Sequence, residues 1–182
     1  MNKRSFKLIT FIFTAALSIS AMLFAADFET SFTADAQEGE YTSWNSGWQF
    51  AQAGTGTLFF TAKAERDIHI AISDKEETSD PMYEIVIGGW SNGESAIRRA
   101  SQGEVLKSSN KAIKNPEVEA TYWVSINASK KTISAGYGTV PGKDIIIQWK
   151  DPKFLANSKY FAFSSWDAVV EYTNISLTAP AK

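Results

Sequence analysis

Hydrophobic and polar residues alternate along most of the chain with a period of two, which is typical of β-strands. Because neighbouring side chains in a strand point to opposite faces, each row should bury one face and expose the other to solvent. In the last strand, Val170 and Tyr172 should point to one face of the sheet, and Val169 and Ile175 should point to the other. The other rows are Leu58, Phe60, Ala62 and Ala64; Ile68, Ile70 and Ile72; Tyr83, Ile85 and Ile87; Tyr122, Val124 and Ile126; Ile145, Ile147 and Trp149; and Phe161 and Phe163.

Turn-forming residues separate these rows, and no sustained helical stripe of hydrophobic residues is found. The pattern predicts an all-β fold, a single antiparallel β-sandwich or jelly-roll-like domain. We expect a loop rather than a short helix over 107–115, because Ser108, Ser109 and Asn110 favour turns. The breaks are Asn45-Ser46-Gly47, Gly54-Thr55-Gly56, Ser79-Asp80-Pro81, Asn92-Gly93, Val140-Pro141-Gly142 and Asp151-Pro152.

The N-terminus has the layout of a secretory signal peptide. Lys3, Arg4 and Lys7 precede an apolar run over 8–24, and the small residues Ala25 and Ala26 follow it. We predict a signal peptide over residues 1–25 and a single domain over 26–182, secreted or, in a bacterium, periplasmic. The alternative is an uncleaved membrane anchor, since the run approaches the length of a membrane span.

The composition argues against nucleic-acid binding and against stabilisation by disulfides. The chain has 18 basic and 20 acidic residues, and loss of three basic residues with the leader leaves 15 against 20. An acidic domain is a poor candidate for nucleic-acid binding, which depends on neutralising phosphates. There is no cysteine, so a secreted domain of this kind has to be stabilised by its core alone.

The segment 83–99 combines a strand, a Gly-Gly-Trp break, a polar turn and a second strand ending in two arginines. A flat tryptophan ring can stack on the apolar face of a sugar while polar side chains bond its hydroxyls. The alternatives are that the tryptophan belongs to the core and that Arg98 pairs with Glu84 across the strands. The candidate ligand-binding residues are Glu84, Trp90, Asn92, Arg98 and Arg99.

Several stretches together resemble the farnesoic acid O-methyltransferase-like domain, over roughly residues 45–177. This chain departs from that family after Trp123-Val124-Ser125, where Ile126-Asn127 replaces a second tryptophan. The resemblance implies a module often found in extracellular and secreted proteins. The stretches that carry it are 60–64, 67–73, 83–90, 95–99, Tyr122-Trp123-Val124-Ser125-Ile126, Ile133-Ser134-Ala135-Gly136, Trp149-Lys150-Asp151-Pro152 and 160–166.

The family name implies methyl transfer, but the sequence lacks a site for S-adenosylmethionine. Such sites place a Gly-rich loop between a parallel strand and a helix. Here Gly54-Thr55-Gly56 precedes a predicted strand, and Gly88-Gly89 joins two strands. We therefore predict no methyltransferase activity and no cofactor.

Other candidate chemistry is weaker. His69 is the only histidine, and we expect it to be a surface residue on the polar side of its strand. A zinc site needs three or four ligands, which one histidine and no cysteine do not supply. The acidic loop 74–80 lacks the regular spacing of a calcium site, so we expect it to be solvated.

The sequence thus predicts a secreted, non-enzymatic module that binds a glycan or another polar small molecule through the hairpin 90–99. It predicts neither a nucleic-acid partner nor stable membrane insertion after signal removal. One alternative is an extracellular glycan hydrolase that uses Glu84 and a second carboxylate, as glycosidases do. Another is a purely structural adhesion or self-assembly domain.

Overall fold

The computed structural model describes residues 30–178, and the predicted signal peptide lies outside the described residues. Within this range the chain forms eleven strands and one helical turn, Gly89–Asn92. The strands are β1 (Phe32–Asp35), β2 (Thr55–Ala64), β3 (Ile68–Ser73), β4 (Tyr83–Gly88), β5 (Glu94–Arg98), β6 (Val105–Ser109), β7 (Ala120–Asn127), β8 (Thr132–Tyr137), β9 (Ile145–Lys150), β10 (Tyr160–Ser164) and β11 (Val169–Thr178).

The strands form two antiparallel sheets. The six-stranded sheet has the order β1-β11-β2-β7-β8-β9, and the five-stranded sheet has the order β10-β3-β4-β5-β6. A continuous cluster of buried side chains from both sheets fills the space between them. The prediction of an all-β sandwich is confirmed.

The alternating rows supply this core. Leu58 and Phe60 of β2, Ile70 of β3, Ile85 of β4 and Phe163 of β10 are all completely buried. Each such side chain stabilises the fold by about 1.5–3 kcal/mol through burial. The six-stranded and five-stranded sheets are therefore held face to face by the apolar residues that the sequence pattern identified.

The prediction of one exposed face is wrong for β3 and β4, whose residues are buried on both sides. A covering segment, residues 37–46, lies on the outer face of the five-stranded sheet. Tyr41 and Trp44 from this segment pack against Ala71, Met82 and Ala162. An irregular segment of this kind leaves no periodic signal, so strand alternation alone could not reveal it.

Two local predictions also need correction. Residues 107–109, the first part of the expected loop 107–115, belong to the edge strand β6, whose polar side chains are largely exposed. Ile175 lies in the core with Val170 and Tyr172 instead of opposite them. A bulge at Asn174, which has a φ of 52°, shifts the register of β11 between Thr173 and Ser176 and so reverses the side-chain alternation.

Candidate functional site

The covering segment leaves one part of the outer face of the five-stranded sheet open, and a cavity of about 300 Å³ lies there. This volume is at the lower end of the range for small-molecule sites. We call it the Trp90 pocket. Its lining comes from β3, β4, β5 and the loops next to them: Arg66, Asp67, His69, Val86, Gly89, Trp90, Ser91, Arg98, Gln102, Trp166 and Asp167.

A buried carboxylate under the pocket organises the polar side chains around it. Glu84 is completely buried, and its oxygens accept hydrogen bonds from Arg98 Nη1 at 3.0 Å and from the Tyr41 hydroxyl at 2.9 Å. The Gln102 backbone N–H also donates to it, at 3.0 Å. The cross-strand pairing of Arg98 with Glu84, one of the alternatives from the sequence, is present, and it holds the guanidinium at the pocket wall.

Trp90 and Trp166 present aromatic surface at the pocket. Trp90 is 50% exposed and Trp166 is 39% exposed, whereas Trp48 and Trp123 are completely or almost completely buried. The Arg98 guanidinium lies 5.1 Å from the centre of the Trp90 ring, within the range of a cation–π contact. The Trp90 ring is thus supported on one side by Arg98 and remains half open to solvent.

The turn that carries Trp90 has an unusual backbone. Trp90, Ser91 and Asn92 all have left-handed dihedrals, with φ values of 50°, 59° and 60°. Such conformations are costly for residues other than glycine. Asn92 compensates by bonding the backbone of Ile113 twice, accepting from its N–H at 2.8 Å and donating to its carbonyl at 3.0 Å. Strained turns of this kind persist where the surrounding structure fixes them, often at ligand sites.

His69 is buried, so the prediction of a surface residue is wrong. It lies on the predicted face of β3, but the covering segment and the pocket walls enclose it, and its side chain is 3% exposed. Its Nδ1 is 3.7 Å from Glu84 and its Nε2 is 3.9 Å from Asp67. Burial lowers the pKa of His69, but the two carboxylates outweigh burial, and the net shift is upward.

The β2–β3 turn forms another wall of the pocket. Arg66 Nε donates to Asp167 Oδ1 at 2.9 Å, which joins this turn to the β10–β11 loop beside Trp166. Asp67 has a left-handed φ of 59°, and its backbone N–H donates to the Gly88 carbonyl. Its side chain is 7% exposed. The pocket therefore has two arginines and two aspartates in its walls, of which Asp67 is buried and Asp167 is exposed.

Of the five predicted site residues, the structure brings three together. Trp90 and Arg98 line the pocket and Glu84 lies beneath it. Asn92 instead supports the turn. Arg99 points away, donating to Asp151 and to the Lys153 carbonyl.

Glu84 is poorly placed for the hydrolase alternative. It is completely buried and accepts several hydrogen bonds. Burial raises the pKa of Glu84, but His69, Tyr41 and Arg98 outweigh burial and lower it overall. A general acid needs the opposite shift, together with contact to the substrate.

Sequence reasoning gave no binding role to Asp67, His69, Gln102 or Arg66. A signal for Asp67 existed, because β3 and β4 are antiparallel neighbours. The residue before β3 therefore has to lie beside the end of β4, where the Gly-Gly-Trp break begins. Gln102 carried no such signal, since its loop position depends on bonds to Glu84.

Comparison with known proteins agrees with this architecture. The sequence profile of farnesoic acid O-methyltransferase matches residues 40–177. The chain belongs to the farnesoic acid O-methyltransferase family. Another similar sequence is a BTB/POZ domain-containing protein of Arabidopsis thaliana, 28% identical over 143 residues. That match covers 74% of this chain but only 17% of the plant protein, so this family member spans a small part of its relative's length.

Solved structures with the same fold have little sequence identity to this family member. The carbohydrate-binding module CBM66 from Bacillus subtilis superposes with a TM-score of 0.53 at 12% identity, covering 84% of this chain and 98% of the module. The CBM40 module of a Ruminococcus gnavus sialidase, bound to α2,3-sialyllactose, gives a TM-score of 0.52 at 11% identity and covers 85% and 92%. At these identities the likeness establishes the fold.

Two features are absent from residues 30–178. No helix in this range has the length and apolarity needed to cross a membrane. The same range contains no group of three or more His, Cys, Asp or Glu side chains arranged to hold a metal ion.

Proposed function

We propose that this protein is a carbohydrate-binding module that takes a sugar into the Trp90 pocket. The observation that carries the proposal is the half-exposed Trp90 ring, supported by Arg98, above a small polar cavity. A sugar ring has an apolar face that suits an exposed indole and hydroxyls that suit convergent polar groups. The carbohydrate-binding modules among the structural neighbours support this class of ligand.

The proposed roles follow from the geometry. Trp90 is the ring on which the sugar stacks, and Arg98 and Gln102 are hydrogen-bonding groups at the wall. Trp166, in the β10–β11 loop, supplies further aromatic surface. Glu84 and Asn92 are positioning residues that hold Arg98 and the Trp90 turn. We further propose that the leader 1–25 exports the module, so that it meets extracellular or periplasmic glycans.

The test is affinity electrophoresis against a panel of soluble polysaccharides, with isothermal titration on any that bind. Trp90→Ala should weaken binding about thirtyfold or more, since loss of a central aromatic anchor typically costs about 2 kcal/mol or more. Trp90→Phe should retain most of the affinity. Val140→Ala, at a valine that is 56% exposed and outside the pocket, should bind like the wild type.

Two outcomes would count against the proposal. Binding that Trp90→Ala leaves intact would place the sugar elsewhere. Failure to bind any member of the panel, combined with concentration-dependent association in analytical ultracentrifugation, would favour the structural adhesion domain.

Methyl transfer is not proposed despite the family name. Thr55 and Gly56 are the first residues of β2, and Gly88 and Gly89 join the end of β4 to a turn of four residues. We therefore expect S-adenosylmethionine to leave the melting temperature unchanged. A ligand present at 100 times its dissociation constant would stabilise the protein by about 2.7 kcal/mol, which a thermal melt readily detects.

A further inference from the structure

Asp67 has a carboxylate at the wall of the Trp90 pocket that receives only long contacts from the described residues. Its side chain is 7% exposed, and none of the hydrogen bonds between residues 30–178 ends on its oxygens. The nearest cationic groups are Arg66 Nε at 3.5 Å and His69 Nε2 at 3.9 Å, both too far for a good hydrogen bond. A carboxylate has room for about four donors, and Asp67 lines the cavity, so it can accept hydrogen bonds from a ligand there.

The carboxylate is held in place by the backbone on both sides. Asp67 keeps its φ of 59° because its N–H donates to the Gly88 carbonyl at 3.0 Å. Gly89 leaves space in front of it, since a Cβ there would lie 3.7 Å from Asp67 Oδ1 and 2.9 Å from Val86. A buried charge without short hydrogen bonds is costly, and such a group is positioned for donors that a ligand brings.

The charges around the cavity indicate which donors these are. Arg66 already pairs with Asp167 at 2.9 Å, and Arg98 with Glu84 at 3.0 Å. The positive charges of both arginines are therefore largely compensated. His69, the third cationic group of the lining, lies 3.9 Å from Asp67 and 3.7 Å from Glu84, so these carboxylates compensate its charge as well. A ligand carboxylate or sulfate would therefore meet the Asp67 carboxylate without an uncompensated cation to balance it, whereas neutral hydroxyls would donate to it.

We propose that Asp67 recognises the ligand by accepting hydrogen bonds from two adjacent hydroxyls of a neutral sugar ring stacked on Trp90. The pocket is then selective for neutral glycans with vicinal hydroxyl pairs over glycans that carry carboxylates or sulfates. Bonds from hydroxyls to a carboxylate are short and strong, which makes Asp67 the specificity-determining residue. This inference rests on the proposed function of the pocket.

The test uses neutral polysaccharides (glucan, mannan, galactan and fructan) and acidic ones (polygalacturonate, alginate and heparin) as probes in affinity electrophoresis. Binding should be confined to neutral probes. It should disappear when the bound probe is oxidised with periodate, which cleaves the carbon–carbon bond between adjacent hydroxyls, and then reduced with borohydride.

Two variants test the residue itself. Asp67→Asn keeps the shape and tolerates the left-handed backbone, and Asp67→Gly suits the same backbone without any side chain. Each should weaken binding at least tenfold. The matched control is Asp144→Asn, an exposed aspartate that also has a positive φ, of 44°, and lies outside the Trp90 pocket. It should bind like the wild type, and thermal melts should verify that all variants fold.

The outcomes separate the two proposals. If Trp90→Ala abolishes glycan binding while folded Asp67→Asn and Asp67→Gly bind within twofold of the wild type, the role of Asp67 is wrong and the carbohydrate site stands. If the protein prefers the acidic probes and this binding depends on Trp90, the role of Asp67 is likewise wrong and the carbohydrate site stands. Absence of binding to every probe overturns both.

Discussion

At the scale of single residues, Glu84 joins parts of the chain that are far apart in sequence. Its carboxylate accepts hydrogen bonds from Tyr41 of the covering segment, from Arg98 of β5 and from Gln102 of the following loop. Because the group is completely buried, these bonds replace the water that an exposed carboxylate would bind. Loss of the charge would leave Arg98 without its partner in a poorly solvated place.

We expect Glu84→Gln to destabilise the fold by about 3–5 kcal/mol, the usual cost of removing one partner of a buried pair. Urea denaturation measures this directly. Glu171→Gln changes the same atoms on the exposed face of β11 and should change the free energy of unfolding by less than about 0.5 kcal/mol. Equal stability of the two variants would mean that the Glu84 network contributes nothing to folding.

The same cluster predicts a defined pH range of maximal stability. The pKa of Glu84 lies below its ordinary value of 4.5, so its contribution is present above pH 4.5 and is lost as the pH falls through the folded-state pKa. The pKa of His69 lies above its ordinary value of 6.5, so its contribution is present below pH 6.5 and is lost as the pH rises through the folded-state pKa.

Together these shifts place the maximum between about pH 4.5 and 6.5. Urea midpoints measured from pH 4 to 9 should show the wild type losing stability on both sides of this range. His69→Gln should lack the loss on the alkaline side. A wild-type profile that stays flat above pH 6.5 would show that His69 is not charged in the folded protein.

At the scale of elements, tight packing between neighbouring strands explains motifs that the sequence left without a role. Trp123 of β7 is completely buried although it lies on the outer face of the six-stranded sheet. Its indole occupies the space beside Gly136 of β8, where a Cβ would lie 2.4 Å from the ring, and its Nε1 donates to the Tyr137 carbonyl. The tryptophan and the glycine are therefore one structural unit.

Gly136→Ala should accordingly cost about 1–3 kcal/mol through overpacking. The cost should be smaller in a Trp123→Phe background, where the smaller ring leaves room for the methyl group. A double-mutant cycle by chemical denaturation measures this coupling. Strictly additive effects would contradict the close approach of the two residues.

The left-handed turn before β5 gives a second prediction at this scale. Asn92→Ala removes both bonds to the Ile113 backbone and should lower stability by about 1–3 kcal/mol. It should also weaken glycan binding, because Trp90 loses its fixed position, although Asn92 does not line the pocket. Exposed Asn157→Ala is the control. Unchanged affinity in a destabilised Asn92→Ala protein would show that the turn does not position Trp90.

The strand pattern was predictable because burial on one face imposes a period of two, and β2 follows it closely. The bulge at Asn174 and the covering segment were not predictable, since each departs from that period for reasons of tertiary packing. The same holds for the site. Exposed Trp90 and its neighbour Arg98 belong to one hairpin, whereas Gln102 reaches the pocket only through its bonds to buried Glu84.

At the scale of the whole molecule, the leader remains a prediction from sequence. We expect exported material to begin near Ala26, where the small residues follow the apolar run. Intact-mass spectrometry of protein recovered from the culture medium or periplasm checks this. Exported protein that retains Met1 would point to an uncleaved anchor instead.

The pairing of β1 with β11 also determines where an attached segment would lie relative to the Trp90 pocket. The Thr30 carbonyl accepts from the Ile175 N–H, so the chain enters and leaves the sandwich side by side. Trp166 and Asp167 precede the opposite end of β11, whose ten residues span roughly 30 Å. A tether or fusion partner that approaches the sandwich next to Thr30 or Ile175 would therefore meet it at the end of β11 opposite to Trp166 and Asp167 of the Trp90 pocket.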